Sequence, residues 1–144
     1  MRKEITVNGQ SIPFQCSALV PRIYRKTIGR DVMIDISKLQ ESYSKILDKK
    51  NKEKKEFDAI DLEIFENIAW VMAYHAYKSD VIEANKIAEP EAREEALSKL
   101  NVVADTPDEW LESIEGAFSI YEILPQILEV WGGSSKTTSS PRKK

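Results

Sequence analysis

The fold is decided by 57-FDAIDLEIFENIAWVMAYHAYK-78. Phe57, Ile60, Ile64, Ile68, Val71 and His75 recur at three- and four-residue steps, and Phe65, Ala69, Met72 and Ala76 follow the adjoining stripe. That spacing is the period of an α-helix. Apolar character widens toward the C-terminal half, which places this helix at the centre of the core.

Upstream, Val32, Ile36, Leu39, Tyr43, Ile46 and Leu47 mark a second amphipathic helix, with a Ser37…Gln40 capping box offering a second start. Before it, "ALVPRIYRKTI" predicts a short helix opening at Ser17 or Val20. Pro21 fits only its first turn, and Gly29 is a C-terminal stop. Residues 3–16 predict a β-hairpin. Asn8-Gly9 suits a two-residue type I′ turn, which pairs Val7 with Gln10, Ile5 with Ile12 and Lys3 with Phe14. Ile5, Val7, Ile12 and Phe14 then share one face, which must lie on helices, because an isolated hairpin is marginal in water. "DKKNKEKKE" (48–56) reads as a solvated connector or helix end.

Downstream, a helix covers part of 81–100, divided by Glu89-Pro90, and "NVVAD" (101–105) is a loop. Thr106-Pro107-Asp108-Glu109 is a capping box with proline at the first helical position. It opens a helix over 107–115 that presents Trp110, Leu111 and Ile114 and stops at Gly116. Ser119 caps a last helix whose stripe is Ile120, Ile123, Leu124, Ile127, Leu128 and Trp131. Pro125 removes one backbone bond there and is expected to kink or split the helix. The expected fold is mainly α with an N-terminal β-hairpin (α+β). It is a single compact helical domain over 1–131 (hairpin 3–16, helices 18–131), followed by a basic tail, 132–144, whose composition predicts disorder.

At 144 residues the chain is one domain by size, with a net charge of −3 and a pI near 5.3. Residues 1–131 hold all 24 acids and 17 bases, so the body is −7 and the tail +4. An acidic body argues against a dedicated nucleic-acid binder, and four charges on a loose tail would bind only weakly and salt-sensitively. The single cysteine excludes an internal disulfide and suggests a reducing setting. "MRKEITVNGQ" lacks the apolar segment of a signal peptide, and no apolar run reaches the roughly 20 residues of a membrane span, so no membrane partner is expected.

Catalytic parts are scarce. His75 lies on the apolar face of the central helix, with no partner at metal or triad spacing, and reads as structural. Cys16 reads as a small hydrophobe, with a Cys16–His75 dyad as the weaker alternative. Asp58 and Asp61 share a helical side from which Glu63 departs, as in a solvated polar face rather than a metal cluster. The lysines of 49–55 are interleaved with Glu53 and followed by Glu56, which argues against a nucleic-acid patch. There is no Walker loop, dinucleotide glycine turn or His-Glu-x-x-His, so no catalytic residue, metal or cofactor is expected. What remains is surface: Trp110, Tyr121, Leu128 and Trp131 form an aromatic-rich C-terminal unit. Packing on the central helix accounts for most of it, and a leftover stripe would suit a partner helix.

The stretches "ITVNGQSIPF", "LVPRIYRKTIGRDVMIDI", "IAWVMAYHAY" and "DTPDEWLESIE…FSIYEILPQILEVW" together resemble the tail assembly chaperones of long-tailed bacteriophages, especially those of Gram-positive hosts. The Asp-Glu-Trp-Leu and Ile-Leu-Pro-x-Ile-Leu-x-x-Trp steps are the most specific parts, whereas "KIAEPEAREEALSKLNVV" departs from the pattern. The resemblance implies a non-enzymatic protein of the host bacterial cytoplasm, absent from the mature virion. It would bind the tape-measure protein, keep its apolar surface from aggregating and help recruit tail-tube subunits. It also implies a frameshift-extended form that meets the tail-tube protein, and self-association as a homo-oligomer. Two other readings stand beside it: a structural tail-completion or connector protein of the virion, and a small phage nucleic-acid-binding regulator using the basic tail.

Overall fold

A computed structural model describes residues 1–48 and 56–136, with side chains of the last helix described as far as Gly133. The order of elements is β1 (Arg2–Val7), β2 (Gln10–Gln15), α1 (Leu19–Ile28), α2 (Val32–Leu47), α3 (Ala59–Asn85), α4 (Pro90–Ser98), α5 (Pro107–Ser113) and α6 (Ile120–Lys136). The chain is thus mainly helical with an N-terminal antiparallel hairpin, as its sequence predicts.

The hairpin follows from its turn. Asn8 and Gly9 both take positive φ, 52° and 85°, as type I′ demands. The register pairs Val7 with Gln10, Ile5 with Ile12 and Lys3 with Phe14. All four residues of the expected apolar face are at most 3% exposed. That face lies on α3, with β2 running along the helix.

α3 starts at a capping box in which Asp58 accepts from the Asp61 amide at 2.7 Å, while Asp61 accepts from the Asp58 amide at 3.2 Å. Its middle is buried on every side: Ile68, Ala69, Trp70, Val71, Met72 and Ala73 are all sealed from solvent. The hairpin, α1, α2, α5 and α6 all pack on it. Encirclement of this kind erases the amphipathic period that a helix with one dry face would keep. The same helix departs from its sequence pattern at both ends. Ile60, placed on the core stripe by spacing, is 57% exposed, although Asp61 beside it is buried against α2. The far end continues to Asn85, absorbing the start of the helix expected over 81–100, and α4 begins with Pro90 at its first position.

Gly29 stops α1 in the left-handed region, its amide donating to the Arg25 carbonyl. α2 is continuous from Asp31, whose side chain accepts from the Met33 amide, so no restart occurs at Ser37. Thr106 caps α5 by accepting from the Glu109 amide, and the helix ends at Ser113, leaving Ile114 as its C-cap.

Ile120, Ile123, Leu124 and Ile127 face inward from α6 as expected, and Val130 joins them. Pro125 does not split α6. The carbonyl it deprives of a donor belongs to Tyr121, which is 57% exposed, so water can satisfy that group. The helix passes through Gly132 and Gly133 to Lys136, five residues into the segment expected to be tail. The rest of that segment, 137–144, and most of the predicted connector, 49–55, lie outside the described residues.

Candidate partner-binding surface

A strip of partly exposed rings crosses one end of the molecule where three elements meet. Tyr43 comes from the later half of α2, Phe57 from the residue before the α3 cap, and Tyr121 from the first turn of α6. Phe57 stacks on Tyr43 with centroids 6.4 Å apart and planes 10° apart, and meets Tyr121 at 5.3 Å and 55°. Leu47 ends α2, one turn beyond Tyr43, and Ile60 follows Phe57 by three residues; both are largely exposed. Exposed apolar and aromatic side chains of this kind are surface that a partner can desolvate.

Beside the strip a polar cluster ties α2 to the start of α3. Asp61 is buried and accepts from Lys38 Nζ at 2.6 Å and Ser42 Oγ at 3.0 Å, in addition to its cap bond with the Asp58 amide. Burial alone would raise its carboxyl, but those three donors outweigh it and hold Asp61 below the usual carboxylate range. A cleft of about 320 Å³ lined by Lys38, Ser42, Asp58 and Asp61 opens there. Asp58 and Asp61 therefore do share a side, as their spacing implies, but they act as a helix cap and an ion-pair partner. Glu63 belongs to another side of α3, where its charge reaches Tyr24 and Arg30. Among the described residues no group of three His, Cys, Asp or Glu side chains is placed to hold a metal ion.

A second buried carboxylate, Asp35, ties α1 to α2. Tyr24 donates to it at 2.7 Å, and Arg30 donates through Nε at 2.8 Å and a terminal nitrogen at 2.6 Å. The Arg30 bonds, aided by Tyr24, hold Asp35 below its ordinary range against the opposing effect of burial. Burial and the adjoining carboxylate push the Tyr24 phenol far above its own.

Of the four residues singled out by sequence, the structure brings one to the strip. Tyr121 is 57% exposed. Leu128 and Trp131 are half-buried against the core. Trp110, a candidate contact residue by sequence, is 2% exposed and is a core residue, edge-on to Phe14 at 6.4 Å and to Phe118 at 5.4 Å. Periodicity assigns Tyr43, Leu47, Phe57 and Ile60 each to a core stripe, which hides their exposure from the sequence. The available signal was position: all but Tyr43 sit at or beside an element end, where fewer neighbours can cover a large side chain.

His75, 6% exposed, lies at the base of the hairpin. Its Nε2 is 2.8 Å from Ser17 Oγ and 3.3 Å from Gln15 Nε2. Arg2 donates to Gln15 Oε1, which turns the Gln15 amide nitrogen toward the ring, an arrangement in which Nε2 serves as an acceptor. Burial, then the positive N-terminal amine, lowers its pKa. Ser17 Oγ also accepts from the Leu19 amide at the start of α1, so the hydroxyl is engaged on both sides. The arrangement joins hairpin, α1 and α3. No helix of the described residues is long and apolar enough to cross a membrane. Comparison of the chain with protein-family models, with curated proteins and with solved structures finds no match, so the site is read from its own geometry.

Proposed function

We propose that this protein is a non-enzymatic tail assembly chaperone of a long-tailed bacteriophage or prophage. It binds apolar helical segments of the tape-measure protein through the Tyr43–Phe57–Tyr121 strip. The observation that carries the reading is that strip: Phe57 in contact with both Tyr43 and Tyr121, with Leu47 and Ile60 exposed nearby in the chain, and α2 tied to α3 by the Lys38–Asp61–Ser42 cluster. Rigid aromatic surface loses little side-chain entropy on binding, which suits recognition of apolar seams on a long helix. The resemblance of "DEWL" and "ILPQILEVW" to the chaperone family supplies the identity of the partner. In this reading no cofactor takes part, the protein acts in the host cytoplasm and leaves before the virion is complete, and a frameshift-extended form carries the tail-tube contact.

The test is co-purification with fragments of the tape-measure protein encoded beside this gene. Wild type retains them, and Tyr121→Ser together with Phe57→Ser loses most retention while the fold melts cooperatively. No retention by wild type, or full retention by the double variant, refutes the reading. Mass spectrometry of purified particles separates it from a tail-completion or connector role, which would leave the chain in the virion.

A further inference from the structure

The corner between α1 and α2 holds a cleft of about 420 Å³ that shares no lining residue with the aromatic strip. Arg25, from the last turn of α1, and Arg30, from the connection to α2, bring positive charge to it. Arg30 is fixed in place. Its Nε and one terminal nitrogen donate to the buried Asp35 carboxylate, and Tyr24 of α1 donates to the same group. The other terminal nitrogen of Arg30 meets no acceptor among the described residues. Arg25 is exposed, and among the described residues its guanidinium forms no ion pair or hydrogen bond. Asp31 also lines the cleft, but its carboxylate is engaged as the cap of α2, accepting from the Met33 amide at 2.8 Å.

Pro21, Val32 and Met33 give the same cleft an apolar side. Val32 is buried, whereas Met33 is 55% exposed and Ile34, next in the chain, is 66% exposed. Attraction to the carboxyl end of α1 accounts for a cation at Arg25. It does not account for large apolar side chains left in water beside that cation. Methionine adapts its shape to irregular apolar partners. A guanidinium already pinned along one edge offers its remaining N–H groups to a carboxylate with little further ordering.

We infer that this cleft docks a partner's amphipathic peptide segment in which an acidic side chain adjoins apolar ones. The carboxylate meets Arg25 and the open edge of Arg30, while the apolar side chains cover Met33 and Pro21. A lone inorganic anion would leave the apolar side and most of the volume unused. Two guanidiniums beside one carboxylate suit a single acidic group rather than a polyanion. A chain with a net charge of −3 also exerts no long-range pull on nucleic acid or an anionic bilayer. Tyr43 of the aromatic strip lies about 16 Å further along α2 than Val32. The docking cleft is therefore separate from the surface proposed for the tape-measure protein and does not depend on that reading.

Fluorescence anisotropy of the full chain with a labelled peptide of leucine and glutamate at helical spacing tests this. At about 50 mM NaCl, wild type is expected to bind it at least about tenfold more tightly than a twin with glutamine for glutamate, since the bonds lost are to a charged group. Arg25→Ala is expected to weaken the glutamate peptide about tenfold. Arg22→Ala removes an equal charge from α1 outside the cleft and is expected to change affinity by less than about twofold. In methionine methyl spectra the peptide is expected to move the Met33 signal and leave that of buried Met72 in place. Tyr121→Ser with Phe57→Ser is expected to bind the peptide as wild type does, and failed tape-measure retention would leave all these outcomes unchanged. Thermal melts of each variant confirm that the fold survives. The inference fails if wild type does not bind or does not prefer glutamate, if Arg25→Ala binds as wild type does, or if Arg22→Ala weakens binding as much. It also fails if the Tyr121→Ser/Phe57→Ser variant loses the peptide, or if duplex DNA or phosphatidylserine vesicles bind wild type more tightly than the peptide does.

Discussion

Two aromatic assemblies in this molecule are built from the same kinds of ring at the same kinds of distance, yet they do different work. One joins Phe14, Phe65, Trp110 and Phe118 with centroids 5.0–6.4 Å apart, under the hairpin and against α3. The other joins Tyr43, Phe57 and Tyr121 at 5.3–6.4 Å, at the end where α2, α3 and α6 meet. The first is almost dry: Phe14, Phe65 and Trp110 are at most 2% exposed. The second is half wet. Burial, rather than ring geometry, separates them. The dry rings are removed from water by folding itself and hold the fold together, whereas the wet rings keep much of their surface in water.

The sharpest way to break the comparison is Trp110→Ala. It empties the centre of the dry assembly and is expected to cost about 4 kcal/mol, read as a large drop in melting temperature or failure to fold. Trp110→Phe keeps part of the contact and should lose less. If Trp110→Ala melts like wild type, the core assignment is wrong.

A smaller effect is expected at Gly116→Ala. Gly116 has φ +86°, and an added Cβ would lie 2.9 Å from Asn8 Nδ2, which donates to the Glu115 and Ala117 carbonyls. Strain and a weakened hairpin tip together should cost about 1–2 kcal/mol in denaturant melts. The loss should be smaller when Asn8→Ala removes the clash, which separates sterics from backbone conformation.

Acid should find the edge of the dry region at His75. The folded state lowers its pKa below the ordinary 6.5, so the unfolded chain binds its proton more readily. The sign follows: this contribution is complete above pH 6.5 and is lost as pH falls through the lower folded value. Stability measured from pH 7.5 to 5 should decline in wild type and decline less in His75→Asn.

The least effect on stability belongs to the wet assembly. Tyr121→Ser should change unfolding free energy by no more than about 0.5 kcal/mol while reducing partner retention, seen by calorimetry and co-purification together. A large loss of stability there would move Tyr121 into the core group and dissolve the distinction.

Part of this was legible from residues alone. Asn8-Gly9 demanded positive φ, and one turn type set the whole hairpin register. Gly29, Pro90, Thr106 and Pro107 marked helix ends because capping and proline chemistry act within three or four residues. For the same reason the sequence locates the elements well and says little about which large side chains meet water. Trp110 and Tyr121 both read as adhesive aromatics, and Phe57 and Ile60 both read as core. Which side of a ring meets water depends on segments distant in the chain: Phe14 covers Trp110 from nearly a hundred residues away, and no segment among the described residues covers Ile60.

The polar groups divide in the same way. Asp58 and Asp61 were visible as neighbours on a helix, but Lys38 and Ser42 turn Asp61 into a buried anchor, and they arrive from α2. His75 was visible as a lone histidine on an apolar face, but Ser17 and Gln15 reach it only after the hairpin lies down on α3. What the amino-acid order determined by itself was local: turn type, caps, helical period and the division of charge, each arising from interactions spanning one turn. What tertiary structure alone decided was exposure, because desolvation is a property of every neighbour around a side chain and those neighbours come from the whole chain.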